Sequence, residues 1–319
     1  MVIILLIKRL QLHNSIFPFF HNSIISQTNM VKVLITGANS FIGANFRKFS
    51  KYKDVDEISL RENLPENIDF SRYDVVLHLA AIVHKSNKTP EYEYFKINRD
   101  LCLLVAEQAK KEGVKQFVFL STCKVYGDFV SGPGLRNENS GCFPVDAYGK
   151  SKYEAEIGLN KLEDSNFKVS IIRTPLVYGE GVKANMLNII RLVDTFPVLP
   201  LGKIYNRKNF TYSENLVGFI DRIIELRSTG IFIAMDENSI STTELVKYLS
   251  KYLGKKNVLF KLPGIFIRIG NFFVPRIFDR LFGSLEFDNN KTKEILDYEP
   301  PFSTEEGIKR MVLSYKKFR

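Results

Sequence analysis

Cysteine is scarce in this chain of 319 residues: Cys102, Cys123 and Cys142 are the only three, and no two of them are spaced as CxxC. An odd count without paired spacing argues against a disulfide framework and against a structural zinc site, and it fits a reducing cytoplasm. Histidine is nearly as rare, and His13, His21, His78 and His84 show no metal-ligand spacing, so no metal is expected. Long apolar runs are missing too. The opening stretch MVIILLIKRL has an apolar core of six residues, far below the ~20 that a spanning helix needs. No small-residue cleavage site comes after it, which speaks against a secretory signal. Internal repeats and low-complexity linkers are likewise absent.

What is present is ordinary for a globular protein: 45% hydrophobic and 25% charged residues, in a chain long enough for one large domain or two lobes. The net charge of +10 raises nucleic acid as a partner. However, the basic residues are scattered, without an arginine-rich block or a recognisable nucleic-acid module. A lysine-rich surface with a few cations reserved for an anionic small molecule accounts for the charge better. Residues 1–29 look foreign to the rest of the chain, and Met30 stands directly before a strong strand. The expectation is a domain starting at Met30, with residues 1–29 as an extension, a weak interfacial anchor or an over-long start.

From Val31 onward strand and helix patterns alternate. VKVLI, DEISL, DVVLHLA, KQFVFLST and KVSIIRTPLVYG read as strands. ANFRKFSKY, NRDLCLLVAEQAKKEG and YGKSKYEAEIGLNKLE read as helices, the last with Asp146 near its start. Strand runs with little alternation, separated by helices, predict an α/β fold with a parallel sheet covered on both faces. After about residue 180 the rhythm changes to helices, proline-broken segments and short strands. Residues 30–180 are therefore expected to form a dinucleotide-binding domain, to which segments around 209–235 return. Residues 181–319 are expected to form mainly a smaller, interleaved second lobe.

TGANSFIG, residues 36–43, comes after the first strand and opens the first helix, the context that gives a glycine motif meaning. Gly37 permits the tight turn, and Gly43 lets helix and strand pack while the helix N-terminal amides face a pyrophosphate. Ser40 replaces the middle glycine and is small enough for backbone approach. The turn as a whole, Gly37, Asn39, Ser40, Phe41, Ile42 and Gly43, is assigned to a dinucleotide. An NAD site usually carries an acidic residue at the end of the second strand. Here Arg61 occupies that neighbourhood and suits a 2′-phosphate, so NADP(H) is favoured over NAD. Asp69 and Phe70 are candidates for the adenine, and Leu79, Ala80 and Ala81 for a smooth strand end that the cofactor crosses. Pro175 completes the cofactor set.

Tyr148 and Lys152 stand at i and i+4 in YGKSK. A tyrosine with a pKa of ~10 is a poor acid or base at neutral pH. A nearby ammonium and a helix N-terminus would favour its phenolate. Thr122, with Ser121 beside it, supplies a strand-end hydroxyl able to grip a substrate oxygen. A lone YxxxK is weak, but in order with the glycine turn and the hydroxyl the combination is specific.

With TGANSFIG, LHLAA, STCKVYG, YGKSK and RTPLVYG in this order, the chain from Met30 to its end resembles the extended short-chain dehydrogenase/reductase family. Its members include nucleotide-sugar epimerases, dehydratases and reductases. The resemblance implies a Rossmann doubly wound sheet with a smaller lobe that binds a nucleoside diphosphate sugar. It also implies Thr122, Tyr148 and Lys152 as catalytic residues, with Tyr148 and Lys152 also touching cofactor, and Asn98 as a supporting asparagine. The segments GVKANMLNIIRLV and PVLPLGKIYNRKNFTYSENLVGFI resemble the enzymes of bacterial surface-polysaccharide sugar nucleotides. There Asn185 matches a substrate contact and Arg207 a diphosphate-binding arginine. Arg280 is a second diphosphate candidate, and His84 and Lys124 stand just past strand ends where they could face the sugar.

Leu176 replaces the asparagine that UDP-galactose 4-epimerases carry in RTPLVYG. This departure and Arg61 tilt the reading toward NADPH-dependent C4 reduction of a UDP-4-keto-6-deoxy-N-acetylhexosamine. A UDP-hexose 4-epimerase with bound NAD is the alternative, and a non-catalytic dinucleotide sensor a more remote one. A homodimer through two long helices is the family's habit. The stretch LPGIFIRIGNFFVPRIFDRLF could lie on a membrane surface, so that association would be peripheral at most. Such stretches are more often lobe core and dimer contact, and Pro275 would break a long amphipathic helix.

Overall fold

The computed structural model describes residues 31–83, 89–127, 135–273 and 275–317. The N-terminal extension and the substrate candidate His84 lie outside the described residues.

β1 (Val33–Thr36) runs into α1 (Phe41–Phe49), followed by β2 (Val55–Ile58) and β3 (Val75–His78). α2 (Glu91–Phe95), a π-helical turn (Lys96–Asp100) and α3 (Leu101–Lys111) lead to β4 (Gln116–Thr122). α4 (Ala147–Leu162) precedes β5 (Lys168–Thr174). Then come β6 (Leu176–Tyr178), α5 (Ala184–Thr195), β7 (Val198–Leu199), β8 (Phe210–Tyr212), α6 (Ser213–Leu226) and β9 (Gly230–Ile233). The chain closes with α7 (Thr242–Leu253), β10 (Val258–Leu259), α8 (Gly264–Phe273), α9 (Pro275–Phe282), α10 (Asn290–Leu296) and α11 (Thr304–Lys317).

Six strands form one parallel sheet in the order β2-β1-β3-β4-β5-β9. Its residues alternate strictly between two cores. Val33, Ile35, Val75 and Leu77 face a cluster with Phe46 of α1 and Phe219, Ile220 and Ile223 of α6. Leu34, Val76, Phe117 and Phe119 face the other way, toward Cys102 and Val105 of α3 and Ala155 and Leu159 of α4. Strands buried on both faces explain the unbroken apolar runs in the sequence. The strand order reverses at β1, so a crevice opens outside the carboxyl ends of β1 and β3, where ligands of doubly wound sheets bind.

The run KVSIIRTPLVYG is two strands rather than one. Pro175 has no N–H to donate, and after it the chain leaves the main sheet to pair β6 with β8 in a separate two-stranded ribbon. A second core gathers Met186 and Ile190 of α5, Leu245, Val246 and Leu249 of α7, and Ile308, Met311 and Val312 of α11. Ser241 starts α7 with a reciprocal capping box to Glu244.

The apolar stretch after residue 262 departs from the expected lobe core. Pro275 does divide it, into α8 and α9, but Ile265, Phe266, Ile269, Phe272 and Phe273 are all exposed. No helix among the described residues is long and apolar enough to cross a membrane.

Candidate active site

A groove of about 1170 Å³ runs along the carboxyl ends of β1, β2 and β3. Of the residues expected to touch a dinucleotide, Gly37, Asn39, Ser40, Arg61, Leu79, Ala80 and Ala81 line it. Gly37 has φ +110°, and a Cβ there would stand 2.7 Å from the Ala80 backbone nitrogen, so no other residue fits between the two strand ends. Ser40 does more than keep out of the way. Its hydroxyl accepts from Gly43 N at 3.0 Å and caps α1, which is why a serine serves where glycine is usual. Phe41 and Ile42 form the first turn of α1 outside the groove lining, and the Ile42 side chain packs on the core. Gly43 also lies outside the lining, close to Ile35 of β1 as helix–strand packing requires.

Asp69 and Phe70, the adenine candidates, lie at the start of a short turn before β3. Neither lines the groove: Phe70 is fully buried beside Leu34 and Val76, and Asp69 caps a short turn by accepting from Ser71 N at 3.2 Å. The sequence reading missed Glu57. This β2 residue lines the groove, and its Oε1 is buried without a hydrogen-bond partner, next to Gly43. Its other oxygen lies 3.6 Å from Arg47 of α1. A carboxylate oxygen with an open position at the adenosine end of such a groove suits a ribose hydroxyl. The signal was available, since Glu57 stands in the second strand about 20 residues beyond the first glycine, as an NAD site usually has it.

The catalytic candidates converge on the N-terminus of α4. Asp146 caps that helix, its Oδ1 accepting from Gly149 N at 2.7 Å. Thr122 ends β4, buried, with its hydroxyl interacting with Tyr148. Burial raises the Tyr148 phenol above its ordinary pKa, and the bond to Thr122 only partly opposes that rise. Lys152, expected to lower the phenol, is not among the groups that shift it. Lys152 is 2% exposed, and its ammonium lies 3.9 Å from the centroid of the Phe119 ring. Burial lowers the lysine to about 8, against the opposing pulls of Cys102 and Glu156.

Around this pair the helix is firmly held. Asn98, in the π-helical turn, donates to Ile82 O at 3.0 Å and accepts from Ile82 N at 2.8 Å. It also donates to Ser151 Oγ at 3.0 Å, which fixes α4 one residue from Lys152. Two further residues escaped the sequence reading, Glu156 and Arg173. Arg173 Nη2 donates to Glu156 Oε2 at 2.6 Å, with both side chains at most 3% exposed, and Ser121 donates to Glu156 as well. Burial opposes the guanidinium charge, but Glu156 overcomes it and holds the arginine above its ordinary pKa. His78, fully buried, faces Thr36 Oγ1 at 2.8 Å, and burial followed by the Lys152 charge lowers it to about 3.

Of the substrate candidates, Lys124 lies closest to the catalytic helix, with its ammonium ion-paired to the capping Asp146. Pro175 is half-buried at the break between β5 and β6, and Leu176 is exposed beside it. Asn185 is half-buried in the first turn of α5. Arg207 is half-exposed, with Nε 3.4 Å from Glu286. Arg280 is exposed on α9, and its carbonyl accepts from Lys208.

The chain matches the NAD dependent epimerase/dehydratase family over residues 33–232. It is 33% identical over 313 residues to a UDP-glucose 4-epimerase of Vibrio cholerae, covering 89% of this chain and 95% of that one. Two solved structures share its fold. One is a UDP-glucuronic acid 4-epimerase from Bacillus cereus in complex with NAD, 19% identical with a TM-score of 0.69, over 90% of this chain and 99% of that one. The other is a dTDP-4-dehydrorhamnose reductase from Bacillus anthracis in complex with NADP, 22% identical with a TM-score of 0.71, over 89% and 99%. The family match takes in the glycine turn, α4 and most of β9 at one edge of the sheet, and the similarity to the Vibrio protein extends it through the second lobe. This enzyme belongs to the NAD dependent epimerase/dehydratase family, within the extended short-chain dehydrogenases/reductases.

Proposed function

We propose that the protein is a UDP-sugar 4-epimerase that keeps NAD in the groove throughout its cycle. Glu57 carries this reading. Its partnerless oxygen accepts from an unphosphorylated ribose and repels a 2′-phosphate. An enzyme that ends each turnover with its NAD regenerated needs no exchangeable NADPH. The full-length similarity to the Vibrio cholerae enzyme supports the same choice.

Gly37, Ser40, Glu57 and Leu79–Ala81 would hold the dinucleotide, which supplies hydride transfer at C4 of the sugar. The chain's own residues manage the proton and the position. Tyr148 Oη takes the C4 hydroxyl proton in the oxidising half and returns it to the carbonyl oxygen in the reducing half. Thr122 Oγ1 orients that oxygen. Burial opposes the loss of the phenol proton, so Tyr148 must release it before the oxidising half can begin. The proton then taken from the C4 hydroxyl serves the reducing half. The oxidising half draws the Lys152 ammonium away from Phe119 toward the phenolate. Arg207 and Asn185 bind the UDP portion, the guanidinium by its paired donors.

Arg61 favours a second reading, because it is exposed and lines the same groove. A guanidinium there binds a 2′-phosphate, and NADPH would then reduce a UDP-4-keto-6-deoxy-N-acetylhexosamine. One experiment separates the two. Purified protein is incubated with UDP-glucose or UDP-N-acetylglucosamine without added cofactor, and the dinucleotide released on denaturation is identified. Formation of the C4 epimer with release of NAD supports the epimerase. Loss of reduced-nicotinamide absorbance with NADPH and the 4-keto sugar, without epimerisation, supports the reductase.

A further inference from the structure

We propose that the outer face of the α8–α9 hairpin docks this protein onto an anionic lipid bilayer. The face is apolar and uncovered. Ile265, Phe266, Ile269, Phe272 and Phe273 fall at i, i+1, i+4, i+7 and i+8, one side of a helix, and are 59%, 56%, 47%, 81% and 74% exposed. Five large apolar side chains together on one exposed helix face are unusual for a surface with no partner.

The hairpin cannot bury this face by folding on itself. α8 and α9 are already closed against each other at Gly270, where a Cβ would fall 1.9 Å from the Phe278 ring. Phe282, stacked on Phe278 at 5.5 Å, and Leu281 pack against the second core. The hairpin is also tied down, since Asn206 donates to the carbonyls of Leu281 at 3.2 Å and Gly283 at 2.8 Å. Its apolar face is therefore held outward.

Charge decides the occupant. Residues 261–282 carry the cations Lys261, Arg268, Arg276 and Arg280 against the single anion Asp279. A second copy of this chain meeting the face about a twofold axis would set like charge against like. An anionic bilayer complements both features, accepting the aromatic side chains at its interface and the cations at its headgroups. α8 has ten residues, too short against the ~20 of a spanning helix, so it lies in the plane of the surface. The proposal is independent of which sugar the active site takes.

The test is flotation of the full chain with vesicles of phosphatidylglycerol and phosphatidylcholine, beside vesicles of phosphatidylcholine alone. The wild-type protein is expected to float with the anionic vesicles and to be released by high salt. Phe272→Ser/Phe273→Ser should lower the partition coefficient at least ~10-fold through the lost apolar insertion. Melting temperature and sedimentation coefficient should not change. Failure of the wild type to float with anionic vesicles at low salt overturns the proposal. So does a variant that floats as well as the wild type, because the attachment then lies elsewhere in the chain. A concentration-dependent dimer that the variant abolishes assigns the face to a second copy instead.

Discussion

The ammonium of Lys152 stands 3.9 Å from the centroid of the Phe119 ring, one helical turn beyond Tyr148 and sealed from solvent. Burial lowers it to about 8, so it is charged below that pH and neutral above. If the ammonium assists proton transfer at Tyr148, kcat/KM should fall as the pH rises through about 8. In Lys152→Met that limb should vanish, with activity reduced ~10²-fold or more. Stability should show the opposite trend. Between about 8 and the ordinary lysine value the unfolded chain binds more protons than the native one, so this group's destabilisation is full below 8 and fades as the pH rises. Lys152→Met should therefore be more stable than wild type at pH 7, by a margin that shrinks in alkaline buffer. Thermal melts across that range check it.

In the proposed mechanism Tyr148 exchanges a proton with the C4 oxygen, and Tyr148→Phe removes that hydroxyl. Turnover should drop ~10²–10⁴-fold. Dinucleotide affinity, read by titration calorimetry, should stay within a factor of about two, because the groove contacts of Gly37 and Leu79–Ala81 are untouched. Thr122→Val should raise KM less than it lowers kcat, as expected for a residue that orients oxygen in the transition state.

Glu57 and Arg61 make contrary demands on the cofactor. Glu57→Gln should weaken NAD about 10-fold, the loss of charge from the acceptor of one hydrogen bond, and should improve NADP. Arg61→Ala should leave NAD binding alone. Dissociation constants for both dinucleotides decide the matter, and a large loss of NADP affinity in Arg61→Ala alone would favour the reductase.

The ion pair of Glu156 and Arg173 joins α4 to β5 with almost no solvent access. Arg173→Leu leaves a buried carboxylate uncompensated and should cost ~3–5 kcal/mol. The double variant Glu156→Leu/Arg173→Leu should recover much of that loss. Chemical denaturation of the three proteins measures the coupling directly.

The sequence disclosed what local chemistry dictates. TGANSFIG spells out its turn, because a glycine at φ +110° leaves no alternative, and YGKSK places two side chains on one helical face whatever surrounds them. What depended on neighbours distant in sequence was hidden. Glu57 was legible from its spacing to Gly37, but that one of its oxygens is buried in the groove without a partner was not. The Lys152 ammonium lies over Phe119 of β4, a neighbour that YGKSK by itself does not reveal. Phe70 and the α8 aromatics are equally apolar in the sequence, yet one is core and the others face solvent. Apolarity alone does not say which surface will be covered.

The return of the chain from β8 through α6 to β9 has a consequence for how the protein is made. On a ribosome, the first five strands of the main sheet emerge by Thr174, but the sixth waits until Ile233. Even then Ile233 N lacks its partner, Thr292 Oγ1 at 2.8 Å, until α10 has been synthesised. Until β9 has been made, β5 presents an open edge, the form of a sheet most prone to pairing with a stranger. The nascent chain therefore carries its greatest risk of aggregation over the interval in which the second lobe is being translated. A truncation ending near residue 229 should accumulate in the insoluble fraction, although it contains the whole catalytic set.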